Sequence, residues 1–207
     1  MRKRICLWLV PALAGVLFLY GCAGMRPQSN GPVRTVLEKM PSASQPEWTS
    51  MNERNYWIQN GSIYSSGYAE SPIALQNALD EAENSARTKL IKNAKDMMLA
   101  EFQRALSVQK QDPKTQASVS SAFSALVSTM KVTGIAKKDS YSEKVREKLG
   151  KDEKIFYRSF VRVELANANY EKNLQQLLSG LKTQMKANKS ARKLAEDIEK
   201  KIKERSK

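Results

Sequence analysis

The stretch Ile155-Phe156-Tyr157-Arg158-Ser159-Phe160-Val161-Arg162-Val163-Glu164-Leu165 decides the fold. It is filled with β-branched and aromatic residues, and its side chains alternate with a period of two. Ile155, Tyr157, Val161, Val163 and Leu165 point one way, with Ser159 interrupting. Phe156, Arg158, Phe160, Arg162 and Glu164 point the other. One apolar and one mixed face is the pattern of an antiparallel sheet covered on a single side.

Leu149-Gly150-Lys151-Asp152 just before this strand reads as a turn. Residues 134–145 read as a polar strand, at an edge or exposed on one side. Near the start of the domain, Tyr56-Trp57-Ile58 is β-prone and Asn60-Gly61 is a hairpin turn signal. Residues 62–69 then read as a strand, with Gly67 marking a bulge or a close backbone approach.

Helices fill the gaps. Ser71-Pro72 offers an N-cap and a first-turn proline. Leu75, Leu79, Ala82, Ala86, Leu90, Ala94 and Met97 recur every three or four residues, which predicts one long helix over roughly 72–109. The small residues in its first half permit close approach to a sheet, and Glu83 and Arg87 form an i,i+4 pair on its outer side. Asp112-Pro113 breaks it. A second helix follows, with Val119, Ala122, Phe123, Leu126, Val127 and Met130 on one face. The fold class expected is therefore α+β: a small antiparallel sheet packed against a long helix.

From Asn167 to Lys207 the chain is helical, with Tyr170, Leu174, Leu177, Leu181, Gln184, Asn188, Ala191, Ala195, Ile198 and Ile202 in unbroken 4-3 spacing. This is a heptad seam with two polar positions at its middle, and it suggests a coiled coil. A continuous helix of that length would run about 55 Å. Either its far half projects, or it breaks near 186–190. Residues 181–207 hold ten Lys or Arg and four Asp or Glu. Lys186, Lys189, Arg192, Lys193, Lys200 and Lys201 are the candidates for contact with an anionic surface. The alternative is a solvated helix flank with pairs such as Glu196–Lys200.

At the N-terminus, Met1-Arg2-Lys3-Arg4 precedes fifteen apolar residues, Ile5 to Leu19. These are too few to span a bilayer, which takes about 20, and they match the apolar region of a secretory signal peptide. Leu19-Tyr20-Gly21-Cys22 follows and resembles the lipobox of bacterial lipoproteins, although Tyr20 stands where that family has a small residue. The resemblance implies cleavage between Gly21 and Cys22, with acylation of the Cys22 thiol and of the new N-terminus. Each buried CH₂ then contributes about 0.8 kcal/mol to anchoring. The absence of Asp after Cys22 implies the outer membrane. A plain signal peptide or an uncleaved anchor would contain the same apolar run.

The expected organisation is a signal peptide at 1–21, a lipidated cysteine and flexible tether at 22–47, an α+β domain at 48–166 and a basic helix at 167–207. Four prolines and two glycines in 23–47 support the tether, with Val33–Met40 as a transient helix. Loss of Arg2, Lys3 and Arg4 with the signal lowers the formal charge from +14 to +11. Cys22 is then the only cysteine left, so no intramolecular disulfide can form.

Composition excludes much chemistry. The 207 residues contain no histidine, so no Ser-His or Cys-His nucleophile and no imidazole base exists. No phosphate-binding glycine loop or calcium loop is present. A carboxylate mechanism would need two acids about 5–9.5 Å apart, and no such pair stands out. A non-catalytic protein without a cofactor, metal, nucleic acid or small-molecule substrate is expected. Trp48, Tyr56, Trp57, Tyr64 and Tyr68 crowd together and are either a core cluster or a stacking platform for wall sugars.

The order of the pieces carries a resemblance. A lipobox and tether lead to Pro46-Glu47-Trp48, then to Tyr64-Ser65-Ser66-Gly67-Tyr68-Ala69. A helix with Ala74, Ala78, Ala82, Ala86 and Arg87 follows, and much later the aromatic strand 156–165. This resembles the Lpp-twenty family of bacterial lipoproteins over residues 46–180. The resemblance implies a compact α+β domain, no catalysis, and a place at the cell surface or in flagellar basal structures. It implies partners among envelope proteins or further copies of the chain. The insert at 111–133 and the tail at 181–207 go beyond a minimal domain of that family.

Overall fold

In the computed structural model, which describes residues 31–205, the decisive stretch is the middle strand of a five-stranded antiparallel sheet. The strands are β1 (Val33–Met40), β2 (Trp57–Gln59), β3 (Ser62–Ser71), β4 (Ile135–Leu149) and β5 (Asp152–Leu165). Their spatial order is β1-β4-β5-β3-β2. The α+β reading holds.

The helices are α1 (Leu75–Ser107), α2 (Pro113–Thr129), α3 (Asn167–Gln184) and α4 (Lys189–Arg205), and a 3₁₀ segment spans Glu47–Glu53. α1 crosses β3 and β5, and its row Ala78, Ala82, Ala86, Leu90, Ala94 and Met98 is fully buried. β5 meets it with Val161, Val163 and Leu165. Small side chains bring this helix very near the sheet, and Gly67 on β3 is the contact point. The β3–β5 register runs unbroken past it, so Gly67 marks a close approach and no bulge.

The local signals map onto structure with specific changes. Asn60 and Gly61 both have positive φ, 50° and 77°, as a two-residue hairpin between β2 and β3 requires. Ser71 ends β3 instead of capping α1; Ala74 occupies the N-cap, without a side-chain cap. Asp112 caps α2 through its side chain, accepting from the Thr115 N–H at 2.9 Å, with Pro113 in the first turn.

Three expectations are corrected. Val33–Met40 forms no helix and belongs to no tether: it is β1, paired antiparallel with β4 from Val33↔Lys148 to Met40↔Ser142. The folded unit begins at Pro32 and not at Trp48. β1 pairs with β4 only over 142–148, so 135–141 keeps the expected edge position and is largely exposed.

The third concerns the tail. The break is one of the two outcomes expected and falls at 185–188, but the far half folds back on its own domain instead of offering a coiled-coil seam. Asn188 turns the chain: its Oδ1 accepts from the Ala191 N–H at 3.1 Å and starts α4. Leu174, Leu177, Leu181, Ala191, Leu194, Ala195, Ile198 and Ile202 are all buried in the same core as α1. The 4-3 pattern therefore records an intramolecular interface and not a free coiled-coil seam. α4 packs on α1, α2 and α3. The core of this helical end includes Phe102 stacked on Phe123, their centroids 3.8 Å apart.

The molecule thus has two ends. The β4–β5 hairpin turns at Gly150-Lys151. At the other end of β5, Leu165 pairs with both Ile63 and Ile135 and the chain enters α3. There the second half of α1 leaves the sheet and joins α2, α3 and α4.

Candidate functional site

The sheet face turned away from the helices carries an array of paired polar and aromatic groups. Cross-strand register places Tyr64, Tyr68 and Glu70 of β3 beside Glu164, Phe160 and Arg158 of β5. β4 adds Asp139, Tyr141, Glu143, Val145 and Glu147 on the other side. Tyr141, Val145, Phe156 and Phe160 are buried but lie outside the main core, so they form a second apolar layer.

Around that layer the charges pair in a ladder. Arg158 donates to Glu143, which is 2% exposed and also accepts from the Tyr141 hydroxyl at 2.7 Å. Arg162 donates to Asp139 through Nε at 2.9 Å. Arg34 of β1 donates to Glu147 at 2.6 Å, and Lys154 reaches the other oxygen of Glu147 at 2.7 Å. The Lys154 and Arg34 cations hold the Glu147 carboxyl below the usual carboxylate range. Burial, with Glu70 and Glu143 beside them, pushes the Tyr68 and Tyr141 hydroxyls up to about 12.

The aromatic crowd is divided by this ladder. Trp57 stacks on Tyr64 at 5.8 Å, and Tyr68 tilts against Phe160 at 4.9 Å. The Arg162 guanidinium lies 5.6 Å from the Trp48 ring centre and 5.5 Å from that of Tyr64. The Trp48 and Tyr64 rings are occupied by a cation of the same chain. Trp48, Trp57, Tyr64 and Tyr68 are half-buried and Tyr56 is exposed, so these residues are neither a closed core cluster nor an open stacking platform. Trp48 is held there by the 3₁₀ segment, which Lys89 of α1 ties down: its ammonium donates to the Asn52 carbonyl, the Asn52 side chain and the Ser66 carbonyl at 3.1–3.2 Å. Burial lowers the Lys89 pKa.

A groove of about 560 Å³ runs between β2 and α1, lined by Tyr56, Ile58, Asp96, Met97, Glu101 and Tyr170 among others. Glu101 accepts from the Tyr170 hydroxyl at 3.0 Å, and burial raises the Tyr170 pKa. Asp96 is exposed there. The most buried acids, Glu143 and Glu147, lie elsewhere and are each bound to cations.

Gly21 and Cys22 lie outside the described residues. Lys186 is exposed in the α3–α4 connection, Lys189 opens α4, and Lys193 and Lys200 are exposed on it. Arg192 pairs with Glu196 at 2.9 Å, which replaces the Glu196–Lys200 pair the spacing suggests. Lys201 pairs with Glu204 at 3.5 Å. Lys182 and Lys203 hold Glu199 below its ordinary pKa, against the opposing cost of burial. The tail cations therefore share their surface with carboxylates at the helical end of the molecule. Among the described residues, no helix is long and apolar enough to cross a membrane.

The charge ladder was partly legible in the sequence, in the alternation Arg158, Arg162, Glu164. Its partners on β4 and β1 needed the pairing register, which nothing local to 33–40 discloses. No family model, curated protein or solved structure matches the chain.

Proposed function

We propose that this protein is a non-catalytic lipoprotein of the bacterial outer membrane that acts in envelope assembly through protein–protein contact. One observation carries the reading: a basic and apolar leader ends at Leu19-Tyr20-Gly21-Cys22, and a folded domain starts at Pro32, ten residues on. The leader supplies export, the thiol supplies the acyl site, and the domain supplies the surface. Confinement to a membrane raises the effective concentration of that surface for a partner held on the same membrane.

The sharpest version, supported by the resemblance to the Lpp-twenty family, is a subunit of a flagellar basal structure. The tail no longer supplies the contact, because its apolar residues are used within the domain. The partner, a second copy or another envelope protein, would meet the strands and helices from outside.

Crosslinking the tagged protein in intact cells, followed by extraction in detergent and mass spectrometry of the captured proteins, tests this. Recovery of basal-body or envelope-complex proteins supports it. Recovery of the chain with lipopolysaccharide alone contradicts the assembly role.

A further inference from the structure

The end of the sheet at the β4–β5 hairpin exposes three apolar side chains, spread over both of its faces. Val33 is 66% exposed, Leu149 53% and Ile155 41%. Val33 and Ile155 lie on the helix side of the sheet, on either side of β4, and Leu149 lies on the opposite face: Val33 pairs with Lys148 and Ile155 with Arg146, whereas Leu149 pairs with Asp152 at the turn. Lys148 and Lys151 flank Leu149 and are exposed. The acids nearby are largely taken up within the hairpin. Glu147 is held by Arg34 and Lys154, and Glu153 by Arg146 at 3.1 Å. Asp152 remains beside Lys151.

Chain length says what meets this tip. Ten residues separate Cys22 from Val33, so the two lie at most about 40 Å apart. The start of β1 is at the tip, so a lipid on Cys22 would keep this end of the domain within about 40 Å of the bilayer and allow it to reach the surface first. The helical end, with Lys186, Lys189, Arg192, Lys193, Lys200 and Lys201, lies beyond the far end of a fourteen-residue strand, itself about 45 Å long.

We propose that the β4–β5 hairpin tip docks on the membrane surface, with Leu149, Val33 and Ile155 entering the headgroup region and Lys148 and Lys151 facing anionic lipid. This rests on the lipoprotein reading above. Exposed apolar side chains rimmed by lysine suit an interface whose outer layer is anionic and whose interior is apolar. Docking would orient the domain with its helical bundle pointing away from the bilayer, and would leave the tail cations for other partners.

The test uses the full-length, membrane-extracted protein in vesicles of phosphatidylethanolamine and phosphatidylglycerol. Lipidation consumes the Cys22 thiol, so Leu149→Cys carries an environment-sensitive fluorophore at a unique site; Ser190→Cys is the control on the tail. The expected result is blue-shifted emission and protection from iodide at position 149 and water-like emission at position 190. Lys148→Glu with Lys151→Glu should return the label at 149 to water-like emission while the protein still floats with the vesicles. A protein that floats and whose label at 149 is as accessible as the one at 190 overturns the docking proposal and leaves the anchor standing. A protein that carries no acyl mass and does not float overturns the anchor, and the docking with it.

Discussion

A Cβ placed on Gly67 would sit 1.9 Å from the Ala82 carbonyl oxygen and 2.6 Å from the Ala86 amide nitrogen. The strand and the helix touch backbone to backbone, and two of the elements that define the fold are fixed against each other at this point. The obstructing atoms are helix backbone, so a Cβ there fits only if α1 shifts away from β3.

Gly67→Ala is accordingly expected to destabilise the domain by about 3 kcal/mol or more, since the obstruction is helix backbone and not a flexible side chain. Urea unfolding followed by circular dichroism measures this. A variant with an unchanged midpoint would mean that α1 sits farther from β3 than described.

The tail is part of the core. Ile198→Ala should cost about 2–5 kcal/mol, as for other fully buried aliphatic truncations. A chain ending at Met185 should fail to fold stably, because α1, α2 and α3 would expose the residues that α4 covers. Limited proteolysis distinguishes the outcomes: a stable truncated fragment would show that α4 is an appendage.

The 4-3 spacing of Leu174 to Ile202 was visible, and so was the break that Gln184 and Asn188 imply. Spacing alone does not identify the partner of an apolar stripe, and here the partner is the second half of α1 with α2 and α3. β5, α1, α2 and the hairpin turns at Asn60-Gly61 and Gly150-Lys151 were legible because their signals are local. β1 was not. VRTVLEKM alternates poorly, carries a register shift between Val36 and Glu38, and is exposed along most of its length. Its strand character comes from β4, more than a hundred residues away. The outer face was half legible for the same reason: Arg158 and Arg162 announce themselves, while Glu143 and Asp139 become their partners only through the β4–β5 register.

That pairing sets the next expectation. Glu143 is buried and ion-paired to Arg158. Arg158→Met leaves the carboxylate without its cation and should destabilise by about 3 kcal/mol. Adding Glu143→Gln should recover much of the loss, because the uncompensated charge is then gone. A double-mutant cycle from thermal unfolding reads the coupling; additive effects would show that the two side chains do not interact.

The pH dependence has two limbs. Glu83, Glu147, Glu164 and Glu199 sit below the ordinary carboxylate value. The leading causes are the Arg87 guanidinium for Glu83, the Lys154 ammonium for Glu147, and a hydrogen bond from Ser62 for Glu164. For Glu199 the Lys182 and Lys203 ammoniums outweigh burial. Their contribution is present above the unfolded pKa of about 4.3 and is lost as pH falls through the lower folded values. Tyr68 and Tyr141, pushed up to about 12, act in the opposite sense. Their contribution is present below the unfolded value of about 10 and fades as pH rises toward the folded one. Unfolding midpoints should therefore fall below about pH 4 and again above about pH 10, with a plateau between. Tyr141→Phe should flatten the alkaline limb and leave the acid limb unchanged.

In the proposed function this domain is held to a membrane through Cys22. The most direct test is the intact mass of the full-length protein extracted from expressing bacterial membranes. The expected polypeptide begins at Cys22 and carries acyl chains, and a Cys22→Ser variant keeps its leader and gains no acyl mass. A mature chain that begins elsewhere, or one with Cys22 present and unmodified, would contradict it.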